Sequence, residues 1–175
     1  MATLIAIVGA ESTGKTALAQ ALAQQLGGVA VPELLRGWCE REGRTPRPDE
    51  QAAIALAQTA AIDAAALTAE VVICDTTALM TAIYSDYLFQ DASLLPAALA
   101  FHRRCALTLL TALDLPWVAD GLQRDGPHVQ APVDAAIRAA LASAGVGWQR
   151  VAGQGEARLE AALTAYFDSQ RASSK

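Results

Sequence analysis

The residues with the clearest chemical potential lie near the start of the chain, where Gly9 to Thr16 reads GAESTGKT. This octapeptide fits G-x-x-x-x-G-K-[ST], a motif in which backbone N–H groups of a glycine-rich turn and of a helix N-terminus surround a phosphate. We expect Lys15 to reach the β- and γ-phosphates of a nucleotide and the Thr16 hydroxyl to bind Mg²⁺. The predicted binding segment consists of Gly9, Ala10, Glu11, Ser12, Thr13, Gly14, Lys15, Thr16 and Ala17.

A second candidate is Asp75, which follows the apolar run VVIC at 71–74. Parallel strands that are buried on both faces read as such runs. We expect the Asp75 carboxylate to lie beside the phosphate-binding loop, where it can hold Mg²⁺ or accept the proton of an attacking hydroxyl. The alternative is a plain polar residue at a strand end.

Glu33 and Arg36 follow the short apolar segment VAV at 29–31 and Pro32. In an open parallel sheet, residues just beyond the carboxyl ends of the strands line the ligand crevice. The sequence leaves substrate binding and a solvated ion pair as equal alternatives for these two side chains. An aromatic base could also stack on a ring, although core packing is the commoner role of such residues. The aromatic candidates are Trp38, Tyr84 and Tyr87.

Composition limits the class of protein. The chain has 175 residues, of which 53% are hydrophobic and 18% charged, which is typical of one globular domain. The net charge of −5 argues against nucleic acid as the main partner. No apolar stretch reaches the ~18 residues of a membrane span, and the start lacks a signal-peptide pattern, so we expect a cytoplasmic protein without a membrane partner. Cysteines without a C-x-x-C spacing predict reduced thiols, at Cys39, Cys74 and Cys105.

The order of the predicted elements indicates the fold. Strands are predicted at 3–8, 29–31, 71–75, 106–110 and 148–152, and helices at 16–26, 49–70, 78–87, 94–104, 132–144 and from 156 to about 167. This alternation predicts a three-layer α/β/α P-loop fold with a mostly parallel sheet of about five strands. We expect one domain over residues 1–170, an exposed loop at 40–48, a surface position for His102 and a disordered tail at 171–175.

The class of P-loop protein follows from what the sequence lacks. It contains no asparagine, which excludes the N-K-x-D motif of guanine-specific switches, and it lacks the further motifs of larger ATPases. A small-molecule kinase fits this length. Such a kinase also explains the glycine-hinged segment at about 120–131, which we predict to be a lid that excludes water.

Several segments, taken in order, resemble the ribosylnicotinamide kinase domain of NadR-type NAD-biosynthesis proteins. They are GAESTGKT, VPELLR, IALAQ, CDTT and LTLLTALDLPWVADGL at 107–122. The resemblance implies transfer of the γ-phosphoryl group of ATP, with Mg²⁺, to the 5′-hydroxyl of nicotinamide riboside. It further implies that Glu33, Arg36 and Gln58 bind the substrate and that an arginine closes over the phosphoryl group.

Two departures from that family matter. The chain has two distant histidines, His102 and His128, so the H-x-G-H motif of an adenylyltransferase domain is absent. Gln123 stands where the family has arginine, and we predict that Arg124 takes over the catalytic role. The sequence leaves open whether Glu33 or Asp75 is the base and whether the chain forms homo-oligomers. A regulatory P-loop ATPase, or a kinase for another nucleoside, is the alternative function.

Overall fold

The computed structural model describes residues 1–119 and 126–173 and contains a parallel five-stranded sheet in the order β2-β3-β1-β4-β5. The strands are β1 (Thr3–Val8), β2 (Val29–Val31), β3 (Val71–Asp75), β4 (Leu107–Thr111) and β5 (Gln149–Val151). The helices are α1 (Lys15–Leu26), α2 (Leu34–Glu42), α3 (Gln51–Ala66), α4 (Ala78–Phe89), α5 (Leu95–His102), α6 (Gln130–Ser143) and α7 (Glu156–Ser173). The predicted α/β fold is confirmed.

Helices cover both faces of the sheet, so β1 is buried between two layers. On one face Ile5 packs with Leu22 of α1 and Ala162 of α7. On the other face Val8 packs with residues of α4 and with Ile137 of α6. Successive side chains of a strand point to opposite faces, which is why a strand covered on both sides is apolar throughout. The layers hold the carboxyl end of β1, and the loop that follows it, at the middle of the sheet edge.

The segment predicted as an exposed loop at 40–48 is partly helical. Helix α2 continues through Glu42 and ends where Gly43 adopts φ +67°, a left-handed conformation that glycine reaches without strain. Beyond it, Arg44 donates two hydrogen bonds to the carboxylate of Glu50, at 2.7 and 2.8 Å. These bonds lower the pKa of Glu50 to about 2. Arg44 thus ties this part of the segment to the 3₁₀ helix at Pro48–Glu50, which precedes α3.

Several helix boundaries also differ from the prediction, among them those of α3, α6 and α7. Helix α3 ends at Ala66 rather than near residue 70. Helix α6 begins at Gln130, after a 3₁₀ helix at Pro127–Val129, so the second half of the predicted lid is helical. Helix α7 passes the predicted end near Phe167 and reaches Ser173, because its sequence contains neither glycine nor proline to stop it.

His102 is buried, contrary to the predicted surface position, and has 0% exposure. Its Nδ1 atom lies 2.9 Å from the Thr77 hydroxyl and its Nε2 atom 3.0 Å from the Thr108 hydroxyl. Two threonine hydroxyls thus satisfy both ring nitrogens, and burial lowers the pKa of the imidazole to about 4.

Within the two described ranges, no helix combines the length and the apolar character that crossing a membrane requires.

Candidate active site

The predicted phosphate-binding loop joins β1 to α1 and has two residues in the left-handed region. Ser12 has φ +59° and Gly14, the residue before α1, has φ +76°. Such turns direct successive backbone N–H groups to one side and form a concave anion site at the helix N-terminus. Lys15 Nζ donates to the Ala10 carbonyl oxygen at 2.7 Å, so its ammonium group lies against the loop.

A cavity of about 450 Å³ opens beside this loop. It is lined by Ser12, Thr13, Gly14, Lys15, Thr16 and Ala17 of the loop and first helix, by Glu33 and Arg36, and by Leu115, Pro116, Val118 and Ala119. The structure therefore brings Glu33 and Arg36 to the same cavity as Lys15 and Thr16. The cause is topological, since parallel strands end at one edge of the sheet and the residues after β1 and β2 meet there.

The carboxylate of Asp75 lies at the end of β3, in register with Ile7. It is 3% exposed, and its Oδ1 atom has no hydrogen-bond partner among the described residues. The next residue, Thr76, adopts φ +67°, which β-branched residues rarely do, and donates its N–H to the Ile7 carbonyl at 3.2 Å. An unpaired buried carboxylate oxygen beside a strained turn is typical of a functional site.

The oxygen atoms of Thr16 and Asp75 suit Mg²⁺. This ion prefers oxygen ligands and is commonly held by one or two protein groups together with substrate phosphates. In the described part of the chain, no group of three or more histidine, cysteine, aspartate or glutamate residues could hold a metal ion alone. Thr16 lines the cavity and Asp75 has an unpaired oxygen. The residues present thus fit an ion that binds together with a nucleotide.

Gln58 does not face the crevice, contrary to the prediction. Its side chain is 3% exposed, and both ends of its amide bind main-chain atoms. Oε1 accepts from the Leu34 N–H at 2.8 Å, and Nε2 donates to the Pro32 carbonyl at 3.1 Å. Gln58 therefore contacts the backbone on both sides of Glu33.

Two side chains of the phosphate-binding loop contact the segment that contains the D-L-P-W sequence, which the sequence analysis did not foresee. Glu11 Oε1 accepts from Trp117 Nε1 and from the Gly126 N–H, each at 3.2 Å. The Ser12 hydroxyl accepts from the Val118 N–H at 2.9 Å. No local pattern signals these contacts, because the partners are more than one hundred residues apart.

Arg158 of α7 also contacts the phosphate-binding loop, and the sequence did not predict this contact. It is 3% exposed and donates to the Thr13 carbonyl at 2.6 Å and to the Gly153 carbonyl at 2.7 Å. A third hydrogen bond, which is also an ion pair, joins it to Asp114. From sequence alone, an arginine in a polar stretch of helix reads as a solvated residue.

The remaining candidates lie elsewhere. Trp38 is covered by the Arg44 guanidinium at 5.0 Å, Tyr84 packs against the core, and Tyr87 is 39% exposed. None of these three residues is among the described residues that line the cavity. Arg124 and Gln123 fall outside the described residues, and the catalytic role of Arg124 stays a prediction.

Comparisons with known proteins bear on the family and the fold. Residues 4–158 match the family described as AAA domain, and no curated protein matches the chain. NadR in complex with NAD and AMP-PNP gives a TM-score of 0.75, and NadR in complex with NR gives 0.80, both at 19% identity. Each match covers 95% of this chain, which spans only 49% and 51% of the two NadR chains.

Deoxyadenosine kinase from M. mycoides with bound dCTP is a further structural neighbour. It has a TM-score of 0.62 at 11% identity, and the match covers 95% of this chain and 100% of the kinase. These likenesses confirm, at the level of the fold, the predicted similarity to the NadR-type kinase domain.

Proposed function

The chain belongs to the AAA domain family, and we propose that it is a small-molecule kinase that transfers the γ-phosphoryl group of ATP to a hydroxyl group. The observation that carries this proposal is the shared cavity. Lys15 and Thr16 line it together with Glu33 and Arg36, which come from a different strand end. A nucleotide switch needs the first pair, whereas a kinase also needs polar side chains that hold an acceptor beside the phosphates.

Nicotinamide riboside is the acceptor we propose, with nicotinamide mononucleotide as the product. Two observations support this choice. The ordered segments from VPELLR to the D-L-P-W sequence resemble the NadR-type kinase domain, and a NadR structure in complex with NR gives a TM-score of 0.80.

In the proposed mechanism, Lys15 and the backbone N–H groups of the loop bind the phosphates of ATP. Thr16 and Asp75 would hold Mg²⁺, which when bound neutralises charge on the phosphates. Glu33 and Arg36 bind and orient the acceptor, whose hydroxyl oxygen attacks the γ-phosphorus as the bond to ADP breaks. The hydroxyl proton passes to a carboxylate, either Asp75 or Glu33.

The test measures ADP release with nicotinamide riboside, with common nucleosides and without an acceptor, and identifies the phosphorylated product. We expect ADP release to depend on nicotinamide riboside and to yield nicotinamide mononucleotide. The Lys15→Ala variant is the control for P-loop chemistry and should lose both ADP release and the thermal stabilisation by ATP.

Other outcomes separate the alternatives. Equal ADP release with and without any acceptor would favour a regulatory ATPase. A clear preference for another nucleoside would keep the kinase class and replace the acceptor.

A further inference from the structure

The amide of Gln58 forms hydrogen bonds with the peptide units on both sides of Glu33. Gln58 lies on α3 and is 3% exposed, so its amide has little access to water. It accepts from the N–H that follows Glu33, at 2.8 Å, and donates to the carbonyl that precedes Glu33, at 3.1 Å. A buried amide that is satisfied at both ends fixes its partners firmly, because any shift leaves a polar group unpaired.

The hydrogen bond between Gln58 and the Leu34 N–H also caps helix α2, although Gln58 belongs to helix α3. Glu33 is the N-cap residue, but its side chain makes no capping hydrogen bond to α2. The first N–H groups of a helix need acceptors, which the N-cap side chain commonly supplies. Here Gln58 supplies one of them, to Leu34. The Glu33 carboxylate is thereby spared the capping role and lines the cavity beside the phosphate-binding loop.

Arg36 depends on the same cap. It lies in the first turn of α2, two residues after Leu34, and it lines the cavity with Glu33. The direction of its side chain follows from the direction in which the helix starts. Fixing the first turn of α2 therefore fixes a carboxylate and a guanidinium together.

We infer that Gln58 is a positioning residue that holds Glu33 and Arg36 toward the phosphate acceptor without touching it. This inference rests on the proposed kinase function and adds the residue that sets the geometry of the acceptor side. The burial of Gln58 and its two main-chain partners rule out a direct contact with the substrate in this structure. Its role is therefore indirect.

The test compares two buried glutamines of helix α3. Gln58→Met keeps the approximate length of the side chain and removes both hydrogen bonds. Gln51→Met is the matched control, because Gln51 is 5% exposed, lies two turns earlier and donates a 3.4 Å hydrogen bond to the Pro46 carbonyl, away from the cavity-lining residues. Acceptor KM, ATP KM, kcat and the midpoint of thermal unfolding are measured for both.

We expect Gln58→Met to raise the acceptor KM by about tenfold or more while the ATP KM changes by less than about twofold. Gln51→Met should leave both KM values within about twofold of wild type, even where its unfolding midpoint falls by a similar amount. A structural role alone would lower stability in both variants without separating the two substrates.

Gln58→Glu adds a readout that loss of stability does not imitate. An ionised carboxylate accepts from Leu34 but repels the Pro32 carbonyl, whereas a protonated one donates to that carbonyl as the amide does. The measured quantity is the ratio of the acceptor KM of this variant to that of wild type at the same pH. We expect this ratio to fall toward one as the pH is lowered from about 8 to about 6, because burial favours the protonated carboxyl.

The outcomes are distinguishable. An acceptor KM for Gln58→Met within about twofold of wild type, with wild type active, overturns the positioning role and leaves the kinase proposal intact. A ratio for Gln58→Glu that rises as the pH falls overturns it as well. A wild-type protein that releases no acceptor-dependent ADP overturns the proposed function, and this inference with it.

Discussion

The hydroxyl oxygens of Thr13 and Thr111 lie 2.6 Å apart beneath the phosphate-binding loop. The Thr13 hydroxyl also lies 2.8 Å from the Ala10 carbonyl and the Thr111 hydroxyl 3.3 Å from the Val8 carbonyl, so either hydroxyl can be the donor in the pair. Both side chains are buried, and the pair joins the loop to the end of β4. The loop that is expected to hold a nucleotide is thus supported from below by a strand that follows it by almost one hundred residues.

This packing leaves room only for glycine at position 9. A Cβ atom there would lie 1.9 Å from the Thr111 Oγ1 atom and 3.2 Å from the Thr13 Oγ1 atom. We expect Gly9→Ala to lower the free energy of unfolding by about 1–3 kcal/mol and to abolish stabilisation by ATP, which is about 2.7 kcal/mol at a hundredfold excess over the Kd. Thermal unfolding with and without ATP measures both effects.

Two further variants make that measurement specific. In Gly147→Ala, no described atom lies within 4 Å of the added Cβ, so this variant should behave as wild type. Adding Thr111→Ala to Gly9→Ala removes the colliding hydroxyl and should recover part of the lost stability. A Gly9→Ala protein with the wild-type response to ATP would contradict the proposed support of the loop.

Asp75 and Glu33 are expected to divide the carboxylate chemistry. Asp75 is buried with an unpaired oxygen at the end of β3, whereas Glu33 lines the cavity. Asp75→Asn should lower kcat by about a hundredfold or more with ATP binding retained, because a base or metal ligand acts on the reacting groups. Glu33→Gln should mainly raise the acceptor KM. Steady-state kinetics and ATP titrations of both variants check this, and the reverse pattern would assign the base to Glu33.

Part of this site was predictable because its signals are local. The phosphate-binding loop is one continuous motif, and four of the five strands, β1 to β4, are mainly apolar runs. The convergence of Glu33 with Lys15 follows from a rule about parallel sheets and needs no knowledge of side-chain contacts. The sequence thus predicts the sheet, the loop and the edge at which the loop lies.

The rest depends on partners that sequence spacing does not reveal. The sequence predicts the wrong location for two residues: Gln58 does not lie in the crevice, and His102 does not lie at the surface. Helix α3 is rich in alanine, so its periodicity does not show which face packs inward. The partners of His102 are hydroxyls on α4's cap and on β4, and only the assembled fold brings them together.

His102 should make stability depend on pH. Burial lowers its pKa from 6.5 to about 4, so between these values the folded protein binds fewer protons than the unfolded chain. His102 therefore does not reduce the free energy of unfolding above about pH 6.5, but it lowers this free energy by about 3 kcal/mol as the pH decreases to about 4. Urea unfolding over this range measures it.

The variant His102→Gln should lack this component, since glutamine does not titrate and can still pair with a threonine hydroxyl. His128→Gln, which removes an exposed histidine, is the matched control. Parallel pH profiles for wild type and His102→Gln would show that the buried imidazole contributes nothing to the pH dependence.

Arg158 should stabilise the phosphate-binding loop from helix α7. Its guanidinium donates to the Thr13 carbonyl at 2.6 Å, to the Gly153 carbonyl and to Asp114, and the residue is 3% exposed. Arg158→Ala removes the donor from a buried carbonyl, which costs about 1–3 kcal/mol for each group left unpaired. We expect a loss of about 2 kcal/mol or more in the free energy of unfolding, together with weaker ATP binding.

Arg158→Lys tests whether charge alone is sufficient. Lysine keeps the positive charge but lacks the planar fork that reaches three acceptors, so it should recover only part of the stability and ATP affinity. Arg171→Ala is the control on the same helix, because Arg171 forms an exposed ion pair at 3.6 Å, a kind worth at most about 1 kcal/mol. Urea unfolding and ATP titration of the three variants separate the cases. If Arg158→Ala loses stability but binds ATP as wild type does, the contact with Thr13 supports α7 and not the loop.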